Sequence, residues 1–424
     1  MNACSEGQTE IVRMLLDIGA DYNKCNNDGW SPVWIACSKG QTEIVRMLLD
    51  IAADYNKCGS DGWSPVKSAC RYGHTEIVRM LLDIGADYNK CDNDGWSPVK
   101  SACRYGHTEI VRMLLDIGAD YNKCDNDRGW SPVMSACSEG HTEIVRMLLD
   151  IGADYNKCNN DGWSPVKIAC RYGHTEIVRM LLDIGADYNK CDNDRGWSPV
   201  MSACSEGQTE IVRMLLDIGA DYNKCDSDGW SPVMSACSEG HTEIVRMLLD
   251  IAADYNKCNN DGWSPVKIAC SKGQTEIVRM LLDIGADYNK CDSDRGCHLK
   301  GQTEIVRMLL DIGADYNKCD SDRGWSPVMS ACMNGQNRNN IGADYNKCDN
   351  DGWSPVKSAC RYGHTEIVRM LLDIGADYNK CNNNGWSPVI GACINIEGKT
   401  EIVRMLLEIG LDYNKCNNDG LCHL

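Results

Sequence analysis

The chain is 424 residues long, 43% hydrophobic and 25% charged, with a formal net charge of −18 and an isoelectric point near 4.9. That balance excludes a sequence-independent grip on nucleic acid phosphates or anionic lipid, which needs a surplus of Lys and Arg. No apolar run approaches the roughly 20 residues of a membrane helix, so no direct membrane insertion is expected, and the first turns carry neither the basic start nor the apolar core of a signal peptide.

The chain opens on MNACSEGQTEIV, which matches the interior stretch MSACSEGQTEIV from Met201 with one change. Residues 1–28 are therefore expected to be a truncated first unit of an array that starts upstream. From Gly29 onward one unit recurs. Its turn glycines, Gly29, Gly62, Gly95, Gly129, Gly162, Gly196, Gly229 and Gly262, fall 33 residues apart, or 34 where Arg128 or Arg195 enters the turn. Such a period overrides any domain count taken from length, and eight intact units are expected over 29–295.

Within the unit that starts at Gly95, Ser97 reads as a helix N-cap and Pro98 as the first helical residue. A short helix follows, stopped by Gly106. Thr108 and Glu109 open a second helix, TEIVRMLLDIG, in which Glu109, Arg112 and Asp116 form a narrow polar stripe. Ile110, Val111, Met113, Leu114, Leu115 and Ile117 take up nearly everything else. A helix this apolar is expected to be covered on several sides, and at about ten residues it is marginal alone. Both facts demand stacking of one unit on the next. Gly118 ends the helix, and ADYNKCDNDGW supplies the Asn, Asp and Gly of an extended finger.

Residues 296–351 break the pattern. CHLK stands where WSPV and the rest of a first helix belong, and Asn337, Arg338, Asn339 and Asn340 replace a second helix. Two defective units and a hinge are expected there, followed by two intact units over 352–419 and an aberrant tail at 420–424. The 27 cysteines sort into twelve AC dipeptides and thirteen DYNKC ends, with Cys297 and Cys422 left over. Their alternating gaps match no zinc spacing. Cysteines one unit apart would sit about 8–10 Å apart on neighbouring helices, too far for a disulfide. Reduced filler thiols in a cytoplasmic setting are the expectation.

Two short helices and a finger every 33 residues, carrying GWSPVKSAC, GHTEIV and LLDIGADYN, resemble the ankyrin repeat. The resemblance covers essentially the whole chain and implies an all-α ankyrin solenoid of helix-turn-helix units with hairpin fingers. One departure is that the family's Thr-Pro-Leu-His opening reads Ser-Pro-Val-x here, with Lys67, Lys100, Met134 or Ile390 in place of the histidine. Cohesion between units is then expected to lean on apolar contacts.

The resemblance also implies a function: a non-enzymatic scaffold for protein–protein interaction, with no cofactor, metal or nucleic acid. The positions that face a partner in the concave groove are the Trp of each turn and the pair before the first glycine. These are Trp63, Arg71, Tyr72, Trp96, Arg104, Tyr105, Trp130, Glu139, Trp163, Arg171, Tyr172, Trp197, Glu206, Trp230, Glu239, Trp263 and Lys272. Lys100 and Arg104 are like charges four residues apart, to be offset by Asp92 and Asp94 or by an acidic ligand. The groove is expected to be striped, with Arg-Tyr units favouring acidic segments and Ser-Glu units basic ones. His74, His107, His141 and His174 read as structural, because Gln replaces them at Gln41 and Gln208. Asn89, Asn122 and their equivalents in ADYN can, by the same resemblance, be acceptors for a 2-oxoglutarate-dependent asparaginyl hydroxylase; the alternative is an Asn bonded within its own loop. An alternative function is a structural or elastic spacer, or a fragment of a larger ankyrin-repeat protein whose effector domain lies outside this chain.

Overall fold

The computed structural model describes residues 1–288, 305, 308, 346–373, 375–393 and 399–410. Among them are 22 helices and no strand. Apart from residues 305 and 308, the expected defects across 296–345, Asn337–Asn340 included, and the tail at 420–424 lie outside the described residues. The chain divides into two compact units, Met1–Asp221 and Tyr222–Leu424.

In the first unit every interior repeat is built alike. The first helix, as in Pro98–Tyr105, begins where Ser97 turns extended and its hydroxyl accepts the Lys100 N–H at 3.1 Å. It stops at Gly106, whose φ of 79° lies in the left-handed region that favours glycine. The second helix, Thr108–Asp116, follows after His107. First helices pack on first helices and second on second along the array. Val99, Ala102 and Cys103 of the first helix, and Ile110, Val111 and Leu114 of the second, are fully buried.

The second helix is covered on several sides, by its own first helix and by the second helices before and after it, but its outward side stays open. Leu115 is half-buried and Ile117 is 41% exposed. The second helices form the outer layer, and only the face turned to the first helices and to the neighbouring second helices is sealed. Along the outer face, Arg46, Arg79, Arg112 and Arg146 pair with Glu76, Glu109, Glu143 and Glu176 of the next repeat at 2.9–3.0 Å. These pairs are exposed and contribute little individually.

The second unit repeats the pattern over Pro232–Asp283. A separate apolar cluster joins Val356, Cys360, Ile367 and Leu371 to Val389, Ile402 and Leu406.

Candidate functional site

The residue after Ser-Pro-Val decides how repeats hold to one another. Lys67, Lys100 and Lys167 are at most 1% exposed, and each ammonium bonds the carboxylate 25 residues on, Asp92, Asp125 and Asp192, in the finger of the next repeat. Three forces meet in the pair. Burial pushes the Lys100 amine down from its usual value, while the hydrogen bond and charge of Asp125 push it back up. Burial alone would raise Asp125. Lys100 and the backbone N–H groups of Arg128 and Trp130 outweigh it and hold the carboxyl below its usual value.

This corrects two expectations. Cohesion at the Lys positions is ionic as well as apolar, and the charge of Lys100 is offset by the following finger's Asp125, not by Asp92, Asp94 or a ligand. The signal was present in the sequence as a covariation at a spacing of 25. Lys67, Lys100 and Lys167 are followed by Asp, Met134 and Met234 by Asn159 and Asn259, and Trp34 by Gly59, while Met201 is an exception, followed by Asp226. At Gly59 a Cβ would lie 2.6 Å from Cδ1 of Trp30, which stacks on Trp34 at 4.5 Å. Lys357 breaks the rule. Its partner position holds Asn382, its Nζ is buried without a hydrogen-bond partner, and burial lowers its pKa to about 7.

The partner-facing positions surround these pairs. Trp63, Trp96, Trp130, Trp163 and Trp197 are half-buried in the first unit. Lys67 and Arg71 lie over the Trp63 ring at 3.9 and 5.0 Å, Lys100 and Arg104 over Trp96 at 4.1 and 5.8 Å, and Lys167 and Arg171 over Trp163 at 4.7 and 5.1 Å. Arg71 also lies 4.6 Å from the ring centre of Tyr105. Tyr72, Tyr105 and Tyr172 expose 51%, 39% and 51% of their surface. Arg104 pairs with Glu139 at 3.2 Å and Arg171 with Glu206 at 3.5 Å. Here the expected stripes meet and partly cancel. In the second unit Trp230 and Trp263 are half-buried, and Glu239 and Lys272 are exposed.

Trp96, Arg104, Trp130, Glu139 and Tyr172 are brought together around one concavity of 520 Å³. The histidines lie elsewhere in the joint. The ring Nε2 of His74, His107, His141 and His174 is 2.9–3.2 Å from the carbonyl oxygens of Ser38, Arg71, Arg104 and Ser138 in the preceding repeat. Gln41 donates to the Ser5 carbonyl at 3.3 Å in the same way. That shared donor explains why His and Gln interchange. Asn89 does not close its own loop through its side chain: its Oδ1 accepts the Asp120 N–H of the next finger at 2.9 Å.

Burial pushes the thiols of Cys70, Cys103, Cys137 and Cys170 far above their usual value, so they do not ionise as nucleophiles. Cys258 is disulfide-bonded, which corrects the expectation of reduced thiols throughout; the other described cysteines form no disulfide. Among the described residues no three His, Cys, Asp or Glu side chains gather to hold a metal ion, and no helix is long and apolar enough to cross a membrane.

Stacked helix pairs, each tied to the next by finger-to-helix bonds, define a helical repeat protein. A family model of ankyrin repeats, built on three copies, matches residues 1–92, 51–125, 84–159, 120–192, 151–226, 218–292 and 338–417, and the chain belongs to the ankyrin-repeat family. A search of the curated proteins finds no significant match.

Proposed function

We propose that the protein is a non-enzymatic scaffold that binds a partner protein along the face formed by its first helices and fingers. Ankyrin repeats generally serve as protein–protein interaction modules, which supports the class. The observation that carries the reading is the exposure of Tyr72, Tyr105 and Tyr172 beside half-buried indoles and guanidinium groups, on helices otherwise sealed in the stack. Large aromatic and Arg side chains held at low entropic cost are the usual anchors of an interface. The remaining partner-facing positions, Trp197, Glu206, Trp230, Glu239, Trp263 and Lys272, extend the same pattern. The absence of disulfides among the described cysteines, Cys258 aside, supports a cytoplasmic setting.

The test is proximity labelling in cells with the native chain and with Tyr72, Tyr105 and Tyr172 all changed to Ala. Those side chains are exposed, so the fold should survive. Loss of the labelled set in the variant is the expected result, and an unchanged set would reject this face.

A further inference from the structure

In the Arg-Tyr repeats a guanidinium lies over each Trp ring. Arg71, Arg104, Arg171 and Arg361, eight residues after Trp63, Trp96, Trp163 and Trp353, stand 4.7–5.8 Å from the ring centres. The place they occupy opens to solvent, because the Arg104 and Arg171 side chains stay 37% exposed.

Trp130 is half-buried like Trp63, Trp96 and Trp163, but Met134 and Ser138 stand at its two cationic positions. Met134 is fully buried and fills the place of the lysine. Ser138 does not reach the place of the arginine. Its hydroxyl turns to the Ser135 carbonyl at 3.0 Å and the Glu139 carboxylate at 3.3 Å. Among the described residues no cation lies over the Trp130 ring, and the concavity of 520 Å³ opens beside Trp130 and Ser138.

The charges on the wall decide which occupant suits that ring. Lys100 is taken up by Asp125, and Arg104 by Glu139 at 3.2 Å. Asp127 is 79% exposed, and its carboxylate meets only Arg128, at 3.9 Å. Three cations and three acids thus balance, so the wall does not repel a further cation. The negative face of the ring attracts one. At longer range the net charge of −18 draws basic segments towards the chain.

We propose that this concavity takes an Arg side chain of a basic partner segment. Its guanidinium lies over the Trp130 ring, where the Arg-Tyr repeats place their own, and its charge faces Asp127 and Glu139. This rests on the reading of the face as a partner-binding surface and names the side chain that it takes. Trp230 repeats the arrangement in the second unit, with Met234 and Ser238 at the same spacings.

The test uses the full chain with a benzophenone side chain in place of Tyr172, which lines the concavity and is 51% exposed, so that labelling reports this site. Three ten-residue peptides alternate Ser with Arg, citrulline or Glu; citrulline keeps the length of Arg without its charge. Photo-labelling is titrated at about 0.15 M salt. The Arg peptide should reach half-maximal labelling at a concentration at least about threefold lower than the citrulline peptide, the scale of an exposed cation–π contact. Ser138→Arg, which sets the chain's own guanidinium over the ring, should reduce the Arg peptide to the citrulline level without moving the thermal midpoint. Glu143→Gln, which changes the net charge equally but on the outer helices, should leave the labelling unchanged. Equal labelling by the Arg and citrulline peptides, no labelling by the Arg peptide, or full affinity in Ser138→Arg would overturn the proposal. Preferential labelling by the Glu peptide would overturn the basic ligand and leave the partner-binding face standing.

Discussion

Changing Asp125 to Asn would remove one charge from a joint between repeats while keeping its shape. The Asn Oδ1 can still accept the N–H groups that Asp125 takes from Arg128 at 2.9 Å and Trp130 at 3.2 Å. What disappears is the carboxylate facing Lys100, a residue 1% exposed. Removing one partner of a buried pair costs about 3–5 kcal/mol, because the other charge is left without compensation. The protein already contains the altered joint. Asn382 accepts the Trp386 N–H at 2.8 Å, as Asp92 accepts that of Trp96, yet leaves the Lys357 ammonium without a hydrogen-bond partner, facing only the Trp353 ring at 4.1 Å. Asn382→Asp should therefore stabilise the repeats around it by a comparable amount.

The pH dependence gives the sign. Lys357 is lowered to about 7 in the fold, against about 10.4 in an unfolded chain. Between those values the unfolded state binds more protons, so stability rises with pH, by up to about 1.4 kcal/mol per unit, and is lowest at and below pH 7. Amide hydrogen exchange on the full chain, corrected for intrinsic rates, reads this helix by helix. Pro355–Tyr362 should gain protection from pH 7 upward in the native chain, as should Pro65–Tyr72, where burial lowers the Lys67 amine to about 7 as well. Pro98–Tyr105, where burial already lowers the Lys100 amine, should show a larger dependence in Asp125→Asn, because the hydrogen bond and charge of Asp125 that push it back up are lost. Native-like protection and an unchanged pH dependence in Asp125→Asn would refute the role given to the pair.

Other consequences are simpler. Leu114→Ala should cost about 2–5 kcal/mol and Leu115→Ala less than half of that, since only Leu114 is fully buried; equal losses by denaturant unfolding would show that the outer layer is sealed. Ala52 and Ala252 hold φ near 60° where other repeats place glycine, so Ala52→Gly should raise stability by about 1 kcal/mol, and a fall in thermal midpoint would contradict that. Asn89 and Asn122 accept the backbone N–H of Asp120 and Asp154 of the next finger through Oδ1; their tryptic peptides should stay unhydroxylated, and an abundant +16 Da form would show that the fingers open to an enzyme.

What could be read from sequence followed the range of the interaction. Ser97, Pro98 and Gly106 act within one turn, and their roles follow from residue type alone. The interchange of His107 with Gln208 pointed to structure because a catalytic base would not tolerate it, and the carbonyl bond explains it. Lys100 could not be read in one unit, since its carboxylate lies in the next finger; only comparison of units at a spacing of 25 exposes the rule that Lys357 breaks. The outer exposure of Leu115 and Ile117 was hidden for another reason. Their apolarity exceeds what the stack buries, and composition does not say which side of a helix meets water. The pairing of Arg104 with Glu139 depends on where neighbouring repeats come to lie, which no single repeat encodes.

The claim that a partner lies on the first-helix face is tested most directly by photo-crosslinking in cells, with a benzophenone side chain placed at Tyr105 or Tyr172 and, separately, at Ile117 or Ile151 on the outer layer. All four positions are 39–51% exposed, so accessibility does not favour either face. A discrete adduct from Tyr105 and Tyr172, absent from Ile117 and Ile151, is the predicted result. The same adduct from the outer positions, with none from the tyrosines, would contradict it.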